Sequence, residues 1–279
     1  GIVPFSYFNP KPSGSTFLRA EGVVNTSNDF EIWKHGCKYD SLIFEKVYWT
    51  EMMQLFKGPK ILDLCDPDWI KGTVDLIEVG NMVDAITCSS LSLAALVQSY
   101  LPNKIVVNVP DRLNFNLFPP PRKPHEGQAK NVVWFGYISN AHATLAQLAP
   151  ALKKHNLNLT IISNAPYTNE DEILEMPHNF IPYSQHSAYT LIQQADIVLN
   201  PKSDKAFYRY KSNNKSVIGW KLGLPVAETS QQLEWFLDAE NRNAEVAERR
   251  DVVETEYNVL QSAVQYREII STIRDKLFV

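Results

Sequence analysis

Cysteine is scarce in this chain of 279 residues, and the three present, Cys37, Cys65 and Cys88, are far apart. None belongs to a C-x-x-C or metal-type pair, and an odd, scattered set makes a poor disulfide framework, so they read as buried, reduced thiols of a cytosolic protein. A long apolar run is also missing. No segment approaches the roughly 20 apolar residues that cross a bilayer, and the opening GIVPFSYFNPKPSG has no cationic leader, so a soluble, cytoplasmic, unprocessed chain is expected. Neither half shows a G-x-G-x-x-G turn followed by an acidic residue, which argues against a nicotinamide dehydrogenase. An excess of one charge is lacking too. The formal net charge is −4 and the pI about 5.9, so wholesale attraction to nucleic acid or anionic lipid is not expected, and any anion site must be local.

The hydrophobic and charged fractions, 44% and 21%, are those of a globular protein, with length for two modest α/β domains. The clearest break is FNLFPPPRKPHEGQAK, residues 115–130, where three consecutive prolines interrupt every apolar period and a linker is expected. Before it, IVPFSYF, SLIFEKVYW, KILDLCD, DAITCSS and KIVVNVP read as strands. Ser89 to Tyr100 reads as a helix that buries Leu93, Leu96, Val97 and Leu101 on one face. After the break, NVVWFGY, LNLTIIS, NFIPY, DIVLN and PVAE read as strands, with helices near 142–154, 185–194 and 212–222. Strand and helix in alternation imply parallel sheets with helices on both faces, whose ligands bind beyond the carboxyl ends of the strands. The fold class expected is therefore α/β, with two Rossmann-like doubly wound domains over 1–114 and 131–250. Residues 231–279 are helical by pattern, and the stripe Val259, Leu260, Val264, Ile269, Ile270 and Ile273 needs a surface to cover. No internal repeat is visible.

Charge is unevenly shared. Residues 113–230 hold eleven Lys/Arg against eight Asp/Glu, whereas 1–112 hold ten against thirteen and 231–279 six against ten. The basic middle is focused in NPKSDKAFYRYKSNNKSVIGWKLGLPVAET, which follows the strand DIVLN. There Lys202, Lys205, Arg209, Lys211 and Lys215 are opposed by Asp204 alone. Ser212 or Asn213 can cap the next helix, whose free N–H groups and dipole favour an anion, and Gly223 and Pro225 supply its stop. A diphosphate at that helix start would meet backbone donors, the Asn214 amide, and the ammonium groups of Lys211 and Lys215. Such contacts strengthen as charge develops on a departing nucleoside diphosphate, without a metal. Lys202 and Lys205 read as solvated loop lysines. A second loop, GYISNAHATL, opens the helix after NVVWF. Gly136 and Tyr137 would let the backbone approach a ligand, Ser139 or Asn140 could cap the helix, and His142 could reach a phosphate or sugar hydroxyl.

The order of these segments resembles the donor domain of GT-B fold glycosyltransferases, particularly the retaining, family-4-like type (glycosyl transferases group 1). The resemblance rests on the WFG loop, LNLTIIS, NFIPY, QQADIVLNP and LGLPVAET, with DAITCSSLSLAALV and KIVVNVPDRLNF resembling the end of that family's acceptor domain. It covers roughly Asp84 to Glu228. The family implies a nucleoside-diphosphate-sugar donor held by the second domain and no separate cofactor. It further implies a hydroxyl acceptor held mainly by the first domain, a cleft between the two, and a C-terminal helix, 251–279, packing back on the first. Two glutamates eight apart usually precede the GLPV stretch. Here the matching positions fall near Tyr210 and Ile218, and Lys211, Asn214 and Lys215 stand in for them, as in branches that hold the diphosphate with a Lys and an Asn-Lys pair.

Ribose hydroxyls in this family are held by an acidic side chain near the helix after the last strand, for which Glu228 and Glu234 are the candidates. The loop NPKPSGSTFLR resembles the family's first loop, where Gly14 and Ser15 would approach donor phosphate or acceptor; plain turn chemistry is the alternative. Asp63, Asp66 and Asp68 lack the partners that would complete a metal site, so Asp66 and Asp68 read as loop acceptors that could touch a sugar acceptor. Trp33, Trp49 and Trp69 read as core. Three functions stay open: transfer of a sugar to a glycan or lipid-linked hydroxyl, transfer to a nucleic acid base, and a non-catalytic nucleotide or glycan-binding module.

Overall fold

The computed structural model describes residues 1–9, 13–168, 177–203 and 205–277. Asp204, set against the basic loop above, lies outside them. The chain divides into two compact units, Gly1–Phe115 with Lys205–Asn213 and Glu256–Val279, and Asn116–Asp204 with Asn214–Thr255.

The first unit is built on a parallel sheet of β1 (Ile2–Val3), β2 (Leu42–Glu45), β3 (Lys60–Leu64), β4 (Ala85–Cys88) and β5 (Ile105–Asn108). They lie side by side in chain order, without a reversal. β1 is shorter than IVPFSYF suggests, because Pro4 has no N–H for a ladder and residues Phe5–Tyr7 turn into a 3₁₀ helix. Side chains alternate across the sheet. Leu42, Phe44, Leu62, Leu64, Ile86 and Cys88 face one way, against Met53, Leu76, Val79, Leu93 and Val97 from the crossover helices. Ile43, Ile61 and Ala85 face the other way, and there the cover comes from Ala20 and Val23 and from Val259, Ala263, Tyr266, Ile269, Ile270 and Ile273 of helix Val259–Leu277. The apolar stripe at the end of the sequence is thus the second layer of this sheet. Of that stripe, Leu260 and Val264 remain exposed.

The second unit holds β6 (Asn131–Gly136), β7 (Asn158–Ser163), β8 (His178–Pro182), β9 (Ile197–Leu199) and β10 (Val226–Ala227), in the order β10-β9-β6-β7-β8, all parallel. The chain starts in the middle, builds outward to β8, and returns to the other side of β6. That reversal separates the carboxyl ends of β6 and β9, the place where open α/β sheets bind ligands. One face packs Val132, Trp134, Leu159, Ile161, Ile197 and Leu199 against Leu145, Leu148, Leu152, Leu233 and Phe236. On the other, helix Asn214–Lys221 comes so close to β9 and β10 that a Cβ on Gly219 would stand 2.8 Å from a Val226 methyl and 3.2 Å from one of Val198.

The proline-rich stretch expected as a linker is built into the second unit. Arg122 donates to the carbonyls of Gln193 and Ala195 and to Asp196. The fully buried Arg242 donates to the carbonyls of Glu126 and Gly127, and to those of Phe236 and Leu237. Asn243 pairs with both backbone groups of His125. Prolines and charges here mark extended chain, with the carbonyls of His125, Glu126 and Gly127 met by Asn243 and Arg242 from a distant helix. Among the described residues no helix is long and apolar enough to cross a membrane. Cys65 and Cys88 are buried, whereas Cys37, expected to be buried, is exposed.

Candidate functional site

The strand reversal in the second unit brings Lys215 and Gly136 together. Gly136 ends β6 with φ +137, a conformation that glycine alone adopts freely. Lys215 comes from the first turn of helix Asn214–Lys221, which follows β9. Its ammonium lies 4.2 Å from the centroid of the buried Trp134 ring, and a Cβ on Gly136 would stand 2.9 Å from its Cε and 3.1 Å from its Nζ. The missing side chain at 136 is therefore the space that the lysine tip occupies. An indole face and a peptide backbone hold the cation in place, and its charge lies at the carboxyl end of β6.

Side chains from the other strand ends bond to Gly136 and to Ser216, the residue after this lysine. Ser163, at the end of β7, donates to the Gly136 carbonyl at 2.7 Å. Asn200, just past β9, donates to Ser216 Oγ at 2.9 Å, and Ser216 donates to Glu228 Oε1 at 3.4 Å. Glu228, just past β10, also pairs with Lys202 at 3.1 Å. Glu228 therefore stands beside the turn that carries Lys215. Glu234 does not. Its carboxylate meets Lys154 at 2.8 Å and His155 at 3.2 Å, on the turn that feeds the amino end of β7. The short helix after β10, Ser230–Trp235, thus sets Glu234 apart from Glu228, beside the amino end of β7.

The GYISNAHATL loop is also corrected in detail. The helix begins at Ile138, one turn earlier than expected, with Tyr137 at the N-cap position and no cap from its own side chain. Ser139 and Asn140 lie inside the first turn instead of capping it. The cap comes from Asn164, whose Oδ1 accepts the Ile138 N–H at 2.9 Å. Gly136 turns the chain so sharply that the helix follows at once. His142 stacks on Tyr167 at 4.5 Å, and Tyr137 is exposed.

The cationic segment is divided between the units. Arg209, Lys211, Ser212 and Asn213 belong to the first, and Asn214 and Lys215 to the second. Within the first unit, Ser90 Oγ donates to the Tyr210 carbonyl at 2.8 Å and Ser92 Oγ to that of Arg209 at 3.3 Å. The side-chain donors of the two expected caps are spent there as well: Ser212 Oγ on Asp111 at 2.5 Å, and the Asn213 amide on the Tyr257 hydroxyl at 2.9 Å. Lys211 lies 4.0 Å from Asp66 and over the rings of Phe207 and Tyr208. Burial lowers its pKa, with Lys46 and Lys71 pushing the same way against Asp66. The aromatic run AFYRY was the available signal, since a solvated loop has no use for three large rings.

Around the carboxyl ends of β2 and β3 the first unit carries a charged network that sequence reading missed. Arg19 is buried and donates to Asp63 at 2.6 and 2.7 Å, to Asp111 at 2.8 Å and to the Val109 carbonyl at 2.8 Å. Asp63 also accepts from Thr87. Asp66 and Asp68, expected as acceptor contacts, are engaged by Lys46 at 2.5 and 3.7 Å, and Asp68 by the Tyr48 hydroxyl at 2.9 Å. Gly14 and Ser15 open a helical stretch instead of a plain turn; Ser15 pairs with Ser13, and a Cβ on Gly14 would meet nothing within 4 Å. Residues 10–12 of that loop lie outside the described residues. Among the described residues no group of three or more His, Cys, Asp or Glu could hold a metal ion.

No family model and no curated protein matches the sequence. Solved structures do match it in fold. TarM from S. aureus, in a variant complexed with fondaparinux, alpha-GlcNAc-glycerol and UDP, aligns with TM-score 0.60 at 10% identity, over 82% of this chain and 55% of that one. A glycosyltransferase from Rickettsia africae ESF-5 gives 0.55 at 9% identity, over 94% and 83%. An alpha-glucosyltransferase in complex with UDP-glucose and DNA containing an abasic site gives 0.54 at 12%, over 83% and 80%. This chain thus spans about half the length of TarM. The shared architecture is the GT-B fold of glycosyltransferases, and identities this low carry the fold and nothing finer.

Proposed function

We propose that this chain is a glycosyltransferase that moves a sugar from a nucleoside-diphosphate donor to a hydroxyl of a glycan or lipid-linked glycan. The observation that carries the reading is the position of Lys215, held against Gly136 where the strand order of the second unit reverses. The donor diphosphate would lie at the start of helix Asn214–Lys221, taking the Lys215 ammonium, the Asn214 amide and first-turn N–H groups. As the glycosidic bond breaks, negative charge grows on the leaving diphosphate, and these fixed positive groups stabilise it more than they stabilise the bound donor. The chemistry so drawn needs no metal and no cofactor. Glu228 is assigned to the ribose. Two structural neighbours are in complex with UDP or UDP-glucose, which makes a uridine diphosphate sugar the first donor to try.

A binding module without turnover is the second reading. It is favoured by the positions that match the family's paired glutamates: Ile218 is buried and apolar, and Tyr210 packs on the core of the first unit. Transfer to a nucleic acid base is a third, suggested by the DNA in one neighbour's complex. Donor hydrolysis and transfer assays over uridine, guanosine, adenosine, cytidine and thymidine diphosphate sugars, with glycan and DNA acceptors, separate the three. Turnover with one donor and a glycan supports the proposal. Saturable binding with no turnover on any acceptor selects the module, and product on DNA alone selects the base.

A further inference from the structure

At the carboxyl end of β2, Glu45 is only 1% exposed, yet none of the chemistry above uses it. Its Oε2 accepts the backbone N–H of Phe5 at 2.8 Å and the hydroxyl of Thr16 at 2.9 Å. Those two donors stand at opposite ends of one stretch of chain: Phe5 just after β1, Thr16 just after Gly14 and Ser15. The Cys65 thiol, past β3, lies 4.0 Å from Oε1.

We propose that Glu45 is a positioning residue, a single buried carboxylate that ties the two ends of the Phe5–Thr16 stretch together and so fixes where Gly14 and Ser15 stand. The clamp responds to pH. Burial holds the Glu45 carboxyl up at about 7, against the Phe5 N–H, with Asp63 raising it further and Ser15 and Thr16 lowering it. The charged or titratable groups facing it are Asp63 and Cys65, with Arg19 committed to Asp63 and Asp111, and Lys46, next in the chain, committed to Asp66 and Asp68. A carboxyl that holds its proton to about pH 7 when closed, but ionises near 4.5 when solvated, must release that proton for the clamp to open. Rising pH therefore favours opening between those two values and has no further effect above the upper one.

The test is hydrogen exchange of the whole chain, without ligand, for wild type and Glu45→Gln at several pH values, each corrected for its intrinsic rate. Wild-type protection of the Phe5 amide is expected to fall by up to about tenfold per pH unit between about 5 and 7 and then level off. Glu45→Gln, which cannot ionise, should abolish that slope. A wild-type slope retained in Glu45→Gln, or a Phe5 amide whose protection ignores pH in both proteins, overturns the clamp. Should Glu45→Gln fail to fold, the carboxyl resonance of Glu45 in the wild type decides: a midpoint near 7 supports the proposal and one near 4.5 overturns it. That Gly14 and Ser15 meet donor or acceptor rests on the proposed function, but no arm of this test uses either ligand. Loss of the clamp and loss of the transferase reading are thus separate results.

Discussion

The two sheets use the same parts to opposite ends. In the first, strands lie in chain order, and the network around the ends of β2 and β3 is closed on itself: Arg19 is shared by Asp63, Asp111 and the Val109 carbonyl. In the second, the order reverses at β6, and a lysine from the helix after β9 stands against a glycine at the end of β6. Removing one partner of a buried ion pair leaves the others uncompensated, whereas the carboxyl ends of strands at a reversal of order are where open α/β sheets bind ligands. Arg19 is therefore expected to matter for stability and Lys215, under the proposed function, for turnover, and substitutions can break that division.

The largest effect on folding is expected at Arg19. Arg19→Ala leaves two buried carboxylates without their guanidinium and should cost roughly 3–5 kcal/mol, read by denaturant unfolding. A loss under about 1 kcal/mol would mean that the network contributes little to the folded state. Lys215→Ala should do the reverse, lowering turnover about 10²–10³-fold while moving the melting temperature by no more than a few degrees. Gly136→Ala sharpens the same point. The methyl would displace the lysine tip and a residue other than glycine at φ +137 is strained by about 1–3 kcal/mol, so donor affinity and stability should both drop. Gly14→Ala, where a methyl meets open space, should leave stability within about 0.5 kcal/mol. The smallest contrast lies between two carboxylates. Glu228→Gln should raise the donor KM about tenfold, the scale of one charge-assisted hydrogen bond, and Glu234→Gln should leave it unchanged. Equal effects would return the ribose assignment to both residues.

What could be read in the sequence was what local chemistry dictates. The helix Leu91–Tyr100 follows from its buried Leu93 and Val97 and from Ser90, whose hydroxyl accepts the Leu93 N–H at 3.1 Å. The strand runs, the parallel alternation and the basic stretch ahead of Lys215 were legible for the same reason. What escaped depended on partners far along the chain. Phe5 and Thr16 lie 40 and 29 residues from Glu45, and Ser212 lies 101 from Asp111. No periodicity links such pairs, so the charged network, and the division of the Arg209–Lys215 stretch between two units, became visible only in three dimensions. The early helix start after Gly136 escaped for the same reason, since its cap is Asn164, 26 residues away from Ile138.

Calorimetric titration of the five nucleoside diphosphates into wild type and Lys215→Ala tests the central claim most directly. One nucleotide should bind the wild type saturably and bind the variant at least tenfold more weakly, with both proteins folded. Equal affinity for the two proteins, or no binding of any nucleotide to the wild type, would contradict the assignment of Lys215 to a donor diphosphate.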